Sequence, residues 1–273
     1  MKIIGLIPAA GTAKRIAPLP CSKELFPIGF QNSTATGAQI PKTVCHYLLE
    51  KMRFAGVKNA YIVLRKGKWD IPEYFGDGNE LDMNLAYLIM NRPFGAPFTL
   101  DQAYQFVKDA QVLFGFPDIL FQPEEAFVRL LKKLADSNAE VVLGLFPTDH
   151  PQKMDMVEMT PDGQICRIEI KPMQTHLKYT WIIAVWTQVF TRFLHTYLKE
   201  VGMVESKTNK NHDADLSNEW YVGDVIQAAL EDGMRIEAVT FRDAKYIDIG
   251  TPADLARAVH VWNPKKETLN DNR

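Results

Sequence analysis

Cysteine is scarce in this chain. Cys21, Cys45 and Cys166 are the only three in 273 residues. They are scattered and lack metal-ligand spacing, which argues against a disulfide scaffold or a zinc motif. An odd, sparse count fits a reducing cytoplasm. A strong charge of either sign is also missing. Lys and Arg number 31 against 33 Asp and Glu, a formal net charge of −2, so there is no electrostatic case for nucleic acid. No apolar run approaches membrane-spanning length. The first run ends at Pro8, too short for a signal peptide's apolar region plus a cleavage site. There is no internal repeat and no low-complexity tract.

The remaining composition is that of an ordinary folded domain, with 47% hydrophobic and 23% charged residues. The length allows one large α/β domain or two small ones. Residues 1–263 read as a single domain, and 264–273 as a charged, frayed tail. Strand candidates are 2–8, 59–65, 85–90, 111–116 and 139–146. Helix candidates between them are 42–55, 99–109 and 123–136. The last carries Phe127, Leu130, Leu131 and Leu134 on one stripe. This alternation predicts a parallel sheet with helices on both faces. The second half is richer in strands, at 155–160, 164–170 and 179–186. A helix at 187–199 and a polar loop at 207–218 follow. The chain then reads as a helix at 222–232, strands at 234–241 and 245–248, and a helix at 252–261. Residues 31–40 read as a polar insertion, either a lid or an idle surface loop.

The most informative stretch runs from Ile3 to Arg15. A buried-strand pattern ends in Ala9, Ala10 and Gly11, small residues that let a ligand approach the backbone. With Thr12 and Ala13 they form a loop whose N–H groups suit phosphate. Arg15 and Lys23 follow on a segment stiffened by Pro18, Pro20 and Pro27. The pattern points to a polyphosphate site at the carboxyl end of the first strand.

Two aspartates stand out. Asp118 follows an apolar strand run, where open α/β sheets bind ligands, although taken alone a helix N-cap or Asx turn is the better reading of the position. Asp248 lies inside the apolar run Tyr246-Ile247-Asp248-Ile249 and needs a partner if buried. Thr251, Pro252 and Asp254 form a helix-start signature beside it. Lys171, just before Pro172, reads by itself as an edge-strand solubilising residue.

Ala-Ala-Gly-x-x-x-Arg followed by Ser22-Lys23-x-Leu25-x-Pro27-Ile28 resembles the N-terminal signature of the sugar nucleotidylyltransferases, particularly the glucose-1-phosphate thymidylyltransferase group. Asp118, Ile168-Glu169-Ile170-Lys171-Pro172 and Asp248-Ile249-Gly250-Thr251 match later motifs of that family. Gly76-Asp77-Gly78 and Tyr221 to Asp224 align more loosely, so the likeness spans residues 2 to 260. It implies a Rossmann-like, three-layer α/β/α fold of the GT-A-like type, with a mostly parallel mixed sheet. It implies nucleotidyl transfer, in which a phosphorylated acceptor such as a sugar 1-phosphate attacks a nucleoside triphosphate and pyrophosphate leaves. In that scheme the 9–15 loop and Arg15 hold the triphosphate. Lys23 balances charge at the α-phosphate, Asp118 and Asp248 hold Mg²⁺, and Lys171 grips the acceptor phosphate. The partners are small molecules, with neither nucleic acid nor a membrane. The protein is expected to be cytoplasmic and open to homo-oligomerisation.

The chain departs from that family where selectivity is set. Ala13-Lys14 stands where the family reads Gly-Thr. Met90 takes the place of a base-reading Gln, with Pro93 and Gly95 retained. Asp155 replaces a Gly of the sugar pocket, Ile170 replaces a hydroxyl-binding Glu, and Ile182-Ile183 replaces Thr-Gly. A slip of one or two residues would instead give Glu169 the sugar-binding role. Asp155, Glu169, Ile170 and Ile182 are therefore the expected acceptor-pocket residues. The acceptor is expected to differ from glucose 1-phosphate and to be deoxygenated, amino-bearing or not a sugar. A regulatory nucleotide-binding module and a glycosyltransferase using Asp213-Ala214-Asp215 are the competing readings.

Overall fold

The structure is a computed structural model that describes residues 2–33, 36–91, 94–208 and 220–262. Its strands are β1 (Ile3–Ala9), β2 (Pro27–Asn32), β3 (Gln39–Thr43), β4 (Asn59–Arg65), β5 (Asn84–Met90), β6 (Gln111–Gly115), β7 (Ile119–Phe121), β8 (Val141–Pro147), β9 (Met156–Met159), β10 (Ile165–Glu169), β11 (Tyr179–Trp186), β12 (Ile236–Thr240) and β13 (Tyr246–Asp248). Its helices are α1 (Val44–Phe54), α2 (Asp70–Phe75), α3 (Ala96–Asp101), α4 (Tyr104–Val107), α5 (Ala126–Ala135), α6 (Gln188–Thr208), α7 (Val222–Glu231) and α8 (Pro252–Val261).

Nine strands form the central sheet. Strands β5, β4, β1 and β6 lie side by side in parallel, as their short apolar runs and crossover helices demand. Strand β11 joins β6 antiparallel and also pairs β8, which carries β12 in parallel. Strands β9 and β10 extend the sheet beside the start of β11. Following these pairings, only β10 and β11 run against the other seven, so the sheet is mixed and mostly parallel.

Alternation along the strands divides the core between the two faces. Ile7 of β1 joins Leu49 and Met52 of α1 and Phe127 and Leu130 of α5 on one face. Ile4 and Leu6 of the same strand join Leu100 of α3, Phe190 of α6 and Val225 of α7 on the other. This is the three-layer arrangement expected from the alternating pattern.

Three local expectations change. The insertion at 31–40 belongs to a β-hairpin formed by β2 and β3, running antiparallel outside the main sheet. The predicted 99–109 helix is two short helices, α3 and α4. The polar loop was placed from 207, but α6 continues through Thr208. The rest of that loop, including Asp213-Ala214-Asp215, lies outside the described residues, as do Pro93 and the tail after Trp262.

Candidate active site

Strands β1 and β6 are neighbours in parallel, so their carboxyl ends open at the same edge. The loop after β1 and Asp118 after β6 therefore lie close together. Ala9 and Ala10 are buried and offer no side-chain surface, whereas Gly11 and Thr12 are exposed. Ala13 adopts a φ of +53°, in the left-handed region that favours glycine. Its carbonyl accepts the N–H groups of Ile16 and Ala17, closing the turn that presents Arg15.

Lys23 lies in a short 3₁₀ turn, Lys23–Leu25, and its ammonium donates to Asp118. Two side-chain ties hold this turn to Lys68, between β4 and α2, and to Asp70, the first residue of α2. Ser22 donates from its N–H and its hydroxyl to the Asp70 carboxylate at 2.6 and 2.7 Å. Lys68 donates to both oxygens of Glu24 at 2.6 and 2.7 Å, with both residues buried. The motif reading missed Glu24, Lys68 and Asp70. Burial pushes the Glu24 carboxyl up and the Lys68 ammonium down, and each partner's charge opposes that shift.

Asp248 reaches the site by a separate pairing. Strand β13 runs antiparallel to β7, which starts just after Asp118. The Ile249 N–H donates to the Asp118 carbonyl at 3.1 Å, fixing the two aspartates beside each other. The Gly250 N–H donates to Asp248 Oδ1 at 2.8 Å. A Cβ at Gly250 would stand 2.7 Å from Arg15 Nη2, so the missing side chain gives the guanidinium its place over this turn.

The electrostatics follow from this crowding. Burial raises the Asp118 carboxyl, but the Lys23 ammonium outweighs it and holds the group below its ordinary value. Asp248 is pushed up to about 6, by burial first and then by the charge of Asp118, with Lys23 and Arg15 opposing. Two hard carboxylates of which one is reluctant to ionise suit a divalent cation.

Of the residues expected at the acceptor pocket, Asp155 immediately precedes β9, Glu169 ends β10, and Ile170 and Lys171 follow it. Asp155 is pushed up to about 6, chiefly by burial, with the charge of Lys171 lowering it, Asp224 raising it and the Trp181 N–H lowering it. A Cβ at Gly223 would stand 2.5 Å from both Asp155 Oδ2 and Ile170 Cδ1. Ile170 therefore shares the Asp155 corner. Glu169 is instead paired to Arg167 at 3.2 Å. Lys171 has a φ of +43° and rests its ammonium on the Tyr221 ring. Trp181 and Tyr221, not singled out by their motifs, are the aromatic members of this corner.

Ile182 is a correction. It has no exposed surface and belongs to the core shared with Phe146 and Phe241, as does Ile183. A register shift between Trp181 and Ile183 in the β11–β8 pairing breaks the alternation. The bulge brings Trp181 to the face of Ala184 and Trp186 and turns Ile182 into the opposite core. Met90 is likewise buried and receives the Thr99 hydroxyl on its sulfur at 3.3 Å, so it offers a nucleobase no polar edge. Gly95 bridges Trp220, and a Cβ there would meet the Trp220 carbonyl at 2.2 Å. Its role is a tight backbone crossing. Among the described residues, no helix is long and apolar enough to cross a membrane.

The family model described as Nucleotidyl transferase matches residues 4–262. The chain is 21% identical over 257 residues to the low-salt glycan biosynthesis nucleotidyltransferase of Haloferax volcanii, covering 93% of this chain and 64% of that protein. It is 23% identical over 258 residues to a glucose-1-phosphate thymidylyltransferase of an Actinoplanes species, covering 93% and 76%. Its fold matches a UDP-glucose pyrophosphorylase crystallised with UDP-glucose at a TM-score of 0.72, with 17% identity over 96% of this chain and 98% of the other.

Proposed function

This chain belongs to the nucleotidyl transferase family, and from that premise we propose that it joins a nucleoside triphosphate to a phosphorylated small molecule. The observation that carries the reading is the convergence of Arg15, Lys23, Asp118 and Asp248 at the carboxyl edge of the sheet. Four charged groups drawn from three chain segments meet where open α/β sheets bind ligands.

In the proposed reaction an oxygen of the acceptor phosphate attacks the α-phosphorus. The bond from that phosphorus to the bridging oxygen breaks, and pyrophosphate leaves with the electron pair. Positioning and charge stabilisation supply most of the acceleration. The Gly11–Arg15 loop and Arg15 bind the triphosphate, while Lys23 offsets charge at the α-phosphorus. Lys171 holds the acceptor phosphate for in-line attack. Asp118 and Asp248 would hold Mg²⁺, which supplies charge neutralisation on phosphate oxygens.

A pyrophosphate-release screen of nucleoside triphosphates against phosphorylated acceptors tests the proposal. Turnover is expected to need Mg²⁺, and Asp118→Asn and Asp248→Asn should each lose about 10²-fold or more while remaining folded. Near-normal rates in both variants would remove the two-aspartate site. Sugar transfer from a nucleotide-sugar donor would replace the proposal with a glycosyltransferase.

A further inference from the structure

The corner around Asp155 has the makeup of an ammonium site. Lys171 Nζ lies 3.6 Å from the centre of the Tyr221 ring, so an aromatic face there already seats an ammonium. The Tyr221 N–H donates to Asp224 Oδ2 at 2.8 Å, and Gly223, two residues on from Tyr221, abuts Asp155 Oδ2, so two carboxylates border that seat. Asp155 Oδ1 is buried without a hydrogen-bond partner at bonding distance, and Nε1 of Trp181, a residue only 3% exposed, has no partner other than this same carboxylate, on which it acts. The bare Cα of Gly223 leaves the carboxylate its room.

These groups ask for particular chemistry. A buried carboxylate oxygen left unpaired is costly, and a cationic donor relieves it best. Ile170, in the same corner, offers no hydrogen bond to a sugar hydroxyl. Lys171 occupies the ring face in a left-handed backbone conformation, so its placement is imposed by its surroundings. When its ammonium engages an acceptor phosphate, the Tyr221 face is free for another cation.

We infer that the acceptor is a phosphomonoester bearing an ammonium group, which Asp155 receives against the Tyr221 ring while Lys171 holds the phosphate. This rests on the nucleotidyl-transfer reading. An amino sugar phosphate and an amino alcohol phosphate share the chemistry, and paired acceptors separate them.

The experiment compares glucosamine 1-phosphate with glucose 1-phosphate, and 2-aminoethyl phosphate with 2-hydroxyethyl phosphate, by pyrophosphate release. The ammonium member of at least one pair should be used ten-fold or more better, and the pair that responds identifies the source. Asp155→Asn, which keeps the shape, should cut that preference ten-fold or more. Tyr221→Leu should weaken it, and Tyr221→Phe should restore it. Equal or better use of the neutral member in both pairs overturns the inference, as does an unchanged preference in folded Asp155→Asn. Absence of turnover with every triphosphate would count against the transfer reading. Calorimetric binding of the same four acceptors then decides the inference separately. Ten-fold tighter binding of an ammonium member upholds it, and equal binding overturns it.

Discussion

Lys68→Met tests whether the turn that carries Lys23 is held by a buried ion pair. Lys68 and Glu24 are 3% and 1% exposed and are joined by two hydrogen bonds of 2.6 and 2.7 Å. Met replaces the stem of Lys68 and removes only the charge. Glu24 is then left buried without its partner, which costs about 3–5 kcal/mol in comparable sites. For a chain of this size that corresponds to a fall of about 5–9 °C in melting temperature. The penalty should depend on pH with a definite sign. Burial already raises Glu24, and losing Lys68 raises it further. The variant's folded state therefore binds a proton more tightly than its unfolded state, so the loss should grow as pH rises from the carboxylate range to neutral. A second variant, Glu24→Leu with Lys68→Met, removes both charges and should recover most of the loss. Denaturant titrations of wild type, both single variants and the pair at two pH values would measure the coupling. A Lys68→Met cost below about 1 kcal/mol, or a double variant no better than the single, would show that the pair does not act as described.

Other tests reach the rest of the site. Lys23→Ala should mainly lower kcat, because its ammonium acts at the reacting phosphorus, whereas Lys171→Ala should mainly raise the acceptor KM; identical defects would refute the division of roles. Asp155, with an ordinary value of 3.8 and a folded value of about 6, holds its proton more tightly when folded. Its contribution to stability should thus fall by about 2–3 kcal/mol as pH rises from 4 to above 6, and Asp155→Asn should remove that slope in urea titrations. If the variant gains nothing at neutral pH, the burial argument fails. Ala13→Gly should be neutral or mildly stabilising by calorimetry, because relief of the left-handed φ offsets the entropy that glycine adds to the unfolded chain. A loss of about 1 kcal/mol, usual for Ala→Gly elsewhere, would mean that Ala13 carries no strain.

The sequence by itself determined the elements whose signal is local. Strand β4 was placed at 59–65 and β11 at 179–186 from uninterrupted apolar runs, because strands covered on both faces need apolar residues throughout. Helix α8 was placed at 252–261 because Thr251 and Asp254 cap it within one turn. The charged residues of the candidate site were also legible, since each sits in a short motif at the end of an element. Tertiary structure decided what depended on distant partners. The β2–β3 hairpin is a polar ribbon whose buried residues, Ile28 among them, pack on α8 and β13, more than two hundred residues away in the chain. Glu24 carries no signal in its own segment; its partner Lys68 lies 44 residues on and meets it only inside the fold. Ile182 is expected in the pocket because Ile182-Ile183 stands where the resembling family reads Thr-Gly, and motif position assigns a face only while the register is regular. One bulge in β11 handed that face to Trp181, and no residue within the strand announces it.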